Sequence, residues 1–164
     1  MTQDEALALW DYRDGHLYWR ENRGKRARAG DQAGCRHSSS NSGTQYIFVG
    51  YRRKTYQAHR IIFLMHRGYL PEQIDHIDGN GLNNDIENLR AATQGQNQHN
   101  KGTQKNNTSG FKGVSWNKRA KKWRAQIELG GKSHHLGISD TPEAAHEAYK
   151  AAAIKLHKEF ANFG

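Results

Sequence analysis

Residues 98–110 contain no apolar side chain, apart from the methyl groups of threonine. A segment of this kind cannot contribute to a hydrophobic core, and its Gly, Asn, Ser and Thr content is typical of a connection between folded parts. We therefore predict two small folded units. The first spans residues 1–100, the second spans residues 110–164, and a basic linker covers residues 101–109.

The composition agrees with small cores. Hydrophobic residues make up 35% of the chain, and the mean hydropathy is −1.02. Four Trp, seven Tyr and five Phe are nevertheless more aromatic residues than a disordered chain carries. Cys35 is the single cysteine, which excludes an internal disulfide and a cysteine-rich zinc site.

The charge is high and unevenly distributed. The net charge of +9 predicts a polyanionic partner, either nucleic acid or an anionic membrane surface. No apolar run approaches the length of a membrane span, and the N-terminus has no signal-like segment, so we expect no membrane partner and a cytoplasmic protein. Residues 70–100 instead hold five acids against Arg90 alone. This acidic island is either a solvated turn or a cation site.

The hydrophobic periodicity of the first unit predicts short elements. The predicted elements are a helix capped by Thr2, a strand over 16–19, a loop over 22–44, a hairpin of 46–49 with 55–58, a helix over 59–67 ended by Gly68, strands over 73–77 and 86–91, and a helix over 94–100 capped by Thr93. His59 and Arg60 are interpreted as structural or phosphate-facing residues.

The stretch from Asp75 to Arg90, with Asn97 beyond it, carries the residues suited to hydrolysing a phosphodiester. Histidine deprotonates water well near neutral pH, so His76 is the candidate general base. Carboxylate and amide oxygens suit Mg²⁺ or Mn²⁺, so Asp75 and Asn97 are candidate ligands of one divalent cation. Two strands and a helix would converge on that ion.

This stretch resembles the HNH (ββα-metal) endonuclease family, in the branch found in phages and homing endonucleases. The matching residues are Asp75-His76, Gly79-Asn80, Asn83-Asn84, Asn88-Leu89 and Asn97. The resemblance implies a ββα-metal core over about residues 73–100. It also implies that His76 activates water, that Asp75 and Asn97 hold the metal, and that Asn88 pins the loop so that His76 is oriented. The zinc-stabilised branch of the family is not matched, because its cysteine pairs are absent.

Residues 111–164 follow a different pattern. Strands are predicted over 111–117, 121–129 and 132–138, and a helix begins at Pro142 after a cap at Asp140 or Thr141. Within the middle strand Trp123, Ala125 and Ile127 alternate with polar residues. We expect these three side chains to face the helix and their polar neighbours to face outward.

Phe111-Lys112-Gly113-Val114-Ser115-Trp116 and the segments that follow resemble an AP2 DNA-binding domain. The resemblance implies a three-stranded sheet that enters the major groove and is backed by one helix. The candidate DNA contacts are the residues Lys112, Lys118, Arg119, Lys121, Lys122, Arg124 and Gln126. Plant members carry arginines at the positions of Ser115 and Asn117, so their recognition sequence does not transfer.

Taken together, the sequence predicts an α+β chain with a nuclease unit and an AP2-like unit. The predicted function is metal-dependent hydrolysis of double-stranded DNA without a small-molecule cofactor, in a bacterial or phage-infected cell. One active site per chain predicts nicking by a monomer or weak dimer. Two alternatives remain: a non-catalytic DNA-binding regulator on a nuclease scaffold, and a protein that binds structured RNA.

Overall fold

The computed structural model describes residues 1–25, 27–38, 44–103 and 106–164. Helices and small antiparallel sheets alternate along the chain, which confirms the predicted α+β class. The chain forms two compact units, Met1–Ala92 and Thr93–Gly164. The expected domain division after residue 100 stays a prediction, because the compactness of the units does not define a functional domain.

The first unit begins with a capped helix, as predicted. Helix α1 spans Gln3–Leu9, and Thr2 and Glu5 form a reciprocal capping box at its start. Strands β1 (Trp10–Arg13) and β2 (His16–Trp19) then form an antiparallel hairpin. Their inward side chains enter the main core of this unit.

A three-stranded sheet follows, in the order β3, β4, β5. Strand β3 spans Cys35–Ser38, β4 spans Gln45–Tyr51 and β5 spans Lys54–Gln57. The predicted hairpin is confirmed, whereas the prediction of a loop over residues 22–44 is wrong where β3 lies. All four residues of β3 are exposed, so the strand has no hydrophobic alternation by which a sequence pattern could reveal it. Residues 26 and 39–43 of the predicted loop lie outside the described part of the chain.

Helix α2 spans Ala58–Arg67 and supplies five of the buried residues of the core of the first unit, more than any other element. Its buried apolar residues include Ile61, Ile62 and Phe63. Gly68 ends the helix in the left-handed conformation, with φ of 77°, as predicted.

Two short strands then frame the acidic stretch. Strands β6 (Gln73–His76) and β7 (Leu89–Ala92) pair antiparallel. The expected strand over 86–91 is wrong at its start, because Ile86–Asn88 forms a 3-10 turn. The Asp85 carboxylate stabilises that turn by accepting a hydrogen bond from the backbone N–H of Glu87.

The second unit opens with helix α3, Gln94–Asn100, capped by Thr93 as predicted. Strands β8 (Val114–Asn117), β9 (Lys122–Leu129) and β10 (Lys132–Ser139) form an antiparallel sheet with β9 in the middle. Helix α4, Pro142–His157, begins after Thr141 and packs on that sheet.

Small residues let α4 lie close to the sheet. Ala145 and Ala153 of the helix are fully buried, and Ala125 and Ile127 of β9 are buried opposite them. Trp123 packs partly buried on the same cluster. The predicted inward face of β9 is therefore confirmed.

Within the described residues, none of the helices is long and apolar enough to cross a membrane.

Gly113 tests how tightly this second core is packed. A Cβ at Gly113 would overlap the Tyr149 ring, and the residue has φ of 73°. Gly113→Ala should lower the free energy of unfolding by about 2–5 kcal/mol, from left-handed strain plus overpacking. Gly130→Ala is the matched control, since φ is 58° but a Cβ there meets open space. It should cost only about 1–2 kcal/mol. If urea denaturation shows the same loss of unfolding free energy for both variants, Gly113 is not crowded by the Tyr149 ring.

Candidate active site and DNA-binding surface

His76 ends strand β6 and is almost fully buried, with 6% of its surface exposed. Its Nε2 lies 3.0 Å from Oδ1 of Asn84, in a buried hydrogen bond. Because an amide oxygen only accepts, Nε2 must carry the hydrogen and Nδ1 then holds a lone pair. A neutral imidazole in this form can accept a proton through Nδ1.

Asn88 and Asp78 tie together the two ends of the loop that follows His76. Asn88 Nδ2 donates to Asp78 Oδ1 at 3.0 Å and to the Asn83 carbonyl at 2.8 Å, while Asn88 Oδ1 accepts from the Asp78 N–H at 3.1 Å. Asn83 Nδ2 adds a bond of 2.7 Å to Asp78 Oδ2. These contacts join Asn88 to both ends of the loop, and its role in orienting His76 stays a prediction.

This network favours the ionised form of Asp78. Burial acts to raise the pKa of Asp78, but hydrogen bonds from the Asn83 side chain, the Asn80 backbone and the Asn88 side chain outweigh it. The pKa therefore lies below its ordinary value. Loss of these bonds on unfolding means that Asp78 stabilises the loop at neutral pH and ceases to do so as pH falls through its lowered pKa.

Two neighbouring hairpins hold the same loop from outside. The Tyr12 hydroxyl on β1 accepts a hydrogen bond of 3.1 Å from the Ile86 N–H. Gly81 lies so close to β4 that a Cβ would overlap the Gln45 carbonyl and the Tyr46 ring. Asn84 thus faces His76 from a loop that is fixed on several sides.

An aromatic group packs around His76. The His59 ring meets His76 edge to face, with 5.0 Å between ring centroids, and the Tyr46 ring lies 6.1 Å from His76. Burial first, then the charges of His76 and Arg60, lowers the pKa of His59 to about 3, so His59 is neutral. It is a structural residue of the site. Its helical spacing to Ile62 and Phe63 was the available signal of burial.

Asp75 is buried next to His76 and forms an ion pair with Arg90. Arg90 Nε and Nη2 both donate to Asp75 Oδ2, at 2.9 and 2.7 Å. The two residues are direct cross-strand partners in β6 and β7. The arginine therefore orients the carboxylate and offsets the cost of burying its charge.

Asn97 lies one turn inside α3, in the second compact unit. Its backbone N–H donates to the Thr93 carbonyl at 3.0 Å, as the helix requires. Among the described residues there is no group of three or more His, Cys, Asp or Glu side chains able to hold a metal ion. The pairing of Asp75 with Asn97 around a cation stays a prediction.

Three of the predicted DNA contacts, Lys118, Arg119 and Lys121, are exposed on the turn between β8 and β9. Asn117 stabilises the turn, because its Oδ1 accepts from the backbone N–H groups of Arg119 and Ala120, both at 3.1 Å. The turn therefore presents three cations from a fixed backbone.

The outward residues of β9 occupy the face opposite α4, as predicted. Arg124 Nη2 donates to Ser115 Oγ at 3.2 Å, and the two residues are cross-strand partners. Gln126 is half-buried beside them. Lys122 pairs with Asp140 at 2.9 Å on the exposed surface.

Lys112 differs from the other predicted DNA contacts. Its ammonium donates to the His99 carbonyl at 2.7 Å and also to the Lys101 carbonyl, at the C-terminal end of α3. Burial lowers the pKa of Lys112 to about 8. The contacts give it a helix-capping role that the sequence did not reveal, and its contact with DNA stays a prediction.

Known families match both parts of the chain. Residues 56–99 match the family described as HNH endonuclease, and residues 109–159 match the family described as AP2 domain. The first match spans α2, β6, β7 and most of α3, including every candidate residue of the catalytic site. The second spans the sheet of β8–β10 and α4.

Two curated proteins are similar over longer stretches. Protein 3.8 of Escherichia phage T7 is 43% identical over 90 residues, which are 55% of this chain and 74% of the phage protein. An uncharacterized HNH endonuclease, L560, of Acanthamoeba polyphaga mimivirus is 38% identical over 116 residues, 69% of this chain and 59% of the viral protein. No solved structure matches the chain. The resemblance drawn from the sequence is confirmed, and the chain belongs to the HNH endonuclease family and carries an AP2 domain.

Proposed function

We propose that the chain is a metal-dependent endonuclease that hydrolyses phosphodiester bonds of duplex DNA and is targeted by its AP2 domain. The observation that carries this proposal is the buried hydrogen bond from His76 Nε2 to Asn84 Oδ1. It leaves Nδ1 as the basic nitrogen of a ring that can neither rotate freely nor change tautomer without losing the bond.

In the proposed reaction His76 acts as general base. Nδ1 accepts a proton from water, and the resulting hydroxide attacks the scissile phosphorus as the bond to the 3′-oxygen breaks. The 3′-oxyanion that departs takes a proton from solvent water. The products are 5′-phosphate and 3′-hydroxyl ends. The neutral His59 beside His76 adds no positive charge that would oppose protonation of the base.

Asn84 and Asn88 are proposed to act through His76. Asn84 holds the ring in the basic tautomer, and its acceptor oxygen also stabilises the imidazolium that forms when Nδ1 is protonated. Asn88 fixes the loop that carries Asn84, through its bonds to Asp78 and the Asn83 carbonyl. Neither amide needs to touch the DNA.

The donor set fits a hard divalent cation. Asp75 and Asn97 offer a carboxylate and an amide oxygen, and Mg²⁺ is commonly held by one or two such groups while water and phosphate complete its shell. The single cysteine, Cys35 on β3, excludes a cysteine-rich zinc site. A bound Mg²⁺ or Mn²⁺ would neutralise charge on the phosphate and on the departing oxygen.

Arg90 suits this arrangement. Two Arg90 nitrogens donate to Oδ2 of Asp75, so the guanidinium holds that carboxylate oxygen in place. An ionised carboxylate held in this way is a better cation ligand than a protonated one.

The AP2 domain is proposed to supply DNA affinity. Lys118, Arg119 and Lys121 are placed to meet phosphates, whereas Arg124 and Gln126 on the open sheet face can bond base edges. One catalytic histidine per chain favours a nick in one strand unless two chains assemble on the DNA.

His76→Ala tests the assignment of the base. Cleavage of supercoiled plasmid in Mg²⁺ should fall about 100- to 10,000-fold, which is the usual contribution of a general base. DNA binding, measured by gel shift in EDTA, should persist. His16→Ala is the control, because His16 is an exposed histidine of the β1–β2 hairpin. Wild-type protein that leaves plasmid intact with Mg²⁺ and with Mn²⁺ would favour the non-catalytic regulator instead.

Asn84→Asp tests the orienting hydrogen bond. A carboxylate opposite Nε2 stabilises the imidazolium, so the acid limb of the pH–rate profile should move to higher pH by about one unit or more. Asn84→Ala should lower kcat without that displacement, because it removes the acceptor and adds no charge. An unchanged acid limb in the Asp variant would show that Asn84 does not govern the base.

A further inference from the structure

The turn between β4 and β5 carries two arginines in an unfavourable backbone conformation. Tyr51 and Lys54 form the last cross-strand pair, so Arg52 and Arg53 alone make the loop. Their φ angles are 49° and 61°. Two-residue hairpin loops of this kind favour Asn-Gly, because both positions are left-handed. Strain of this type concentrates at functional sites.

The arginines belong to a larger cationic cluster around Tyr51. The Arg52 guanidinium lies 5.1 Å from the centre of the Tyr51 ring, and the Arg23 guanidinium lies 5.9 Å from it. Both distances are within the range of cation–π contacts. The Tyr51 ring in turn packs edge to face on Trp10, a buried core residue. The buried core therefore holds Tyr51 in place, and Tyr51 in turn positions the two arginines.

The charge of this cluster is only partly compensated. Glu5 pairs with Arg52 at 3.6 Å and Glu21 pairs with Arg23 at 3.5 Å, and all four side chains are well exposed. Exposed pairs of this kind are weak, so a phosphate can replace the carboxylate. Across the part of the chain that the structure describes, Arg53 and Lys54 form no ion pair.

Strand β4 connects this cluster with the catalytic histidine. Tyr46, near the start of β4, lies 6.1 Å from the His76 ring, and Arg52 follows its end. Six residues of strand at about 3.4 Å each span about 20 Å. Successive phosphates of one DNA strand rise by about 3.4 Å along the duplex axis, so a β4 that lies along this axis spans about six base pairs.

We propose that the hairpin tip formed by Arg52, Arg53 and Lys54, together with Arg23, binds the phosphate backbone of duplex DNA about six base pairs from the scissile phosphate. The distance rests on the proposed function, since it assumes cleavage at His76. This surface belongs to the nuclease unit and is additional to the AP2 sheet. Through this surface the nuclease unit would bind DNA independently of the AP2 sheet.

The double variant Arg52→Asn with Arg53→Gly tests the proposal in the full-length chain. Asn-Gly suits the turn better, so the thermal midpoint should stay equal or rise. Affinity for a short mixed-sequence duplex, measured by fluorescence anisotropy in EDTA, should fall about 5- to 20-fold at low salt. The plot of log K against log salt should become shallower by about 1 to 2. Unchanged affinity and slope with an intact fold would overturn the proposal.

Two further double variants separate a local contact from general charge. Lys155→Gln with Lys158→Asn removes two exposed cations from the end of α4, where Lys158 also has a positive φ of 50°. It should leave affinity nearly unchanged. Arg52→Lys with Arg53→Lys keeps both charges and should retain most of the affinity. If the α4 variant loses as much affinity as the Asn-Gly variant, only net charge matters and the hairpin tip is not a site.

Phosphate ethylation interference locates the contact. On a fragment with mapped cuts, ethylation about six base pairs from the cut should weaken wild-type binding and have little effect on the Asn-Gly variant. Interference that is identical for the two proteins would refute the contact. The anisotropy arm requires no cleavage, so it stands even if His76 proves not to be the base. In that case only the assigned distance fails.

Discussion

The hydrogen bond between His76 Nε2 and Asn84 Oδ1 is the interaction on which the catalytic interpretation depends. It is buried and 3.0 Å long, and it decides which ring nitrogen carries the hydrogen. Without this partner, the hydrogen of a neutral imidazole could lie on either ring nitrogen. With it, the basic nitrogen is chosen before any substrate arrives, which is the form of preorganisation that costs nothing at the moment of reaction.

The loop around Asn84 is held at several points, and these contacts keep that bond in place. Asn88 closes the loop from within, Tyr12 holds the Ile86 backbone from one hairpin, and the contact of Gly81 with β4 leaves no room for displacement. A short polar loop with so few apolar residues has no hydrophobic core of its own. Its stiffness comes from hydrogen bonds, which is why amides and glycines dominate its sequence.

Local sequence signals predicted where helices begin and end, because capping residues act through hydrogen bonds to nearby backbone groups. The capping boxes begun by Thr2 and Thr93, and the left-handed Gly68, fixed three helix boundaries correctly. The alternation in β9 predicted which face is buried. Strand β3 escaped prediction because its residues are all exposed, so burial left no pattern in the sequence.

The candidate residues Asp75, His76 and Asn88 could be proposed from the motif, and their roles stay predictions. The sequence did not reveal that Asn84, eight positions along the chain, is brought back by the folded loop to hydrogen-bond the His76 ring. The capping role of Lys112 and the packing of His59 likewise depend on long-range contacts that no local pattern encodes.

The tautomer of His76 is the most direct test of the account. Long-range ¹H–¹⁵N correlation spectra of the selectively labelled chain, recorded at neutral pH without metal, distinguish a protonated from a bare ring nitrogen. The account predicts that Nε2 carries the hydrogen, that Nδ1 is bare, and that replacing Asn84 by Ala removes this preference. A His76 ring protonated at Nδ1 in the wild-type chain would contradict it.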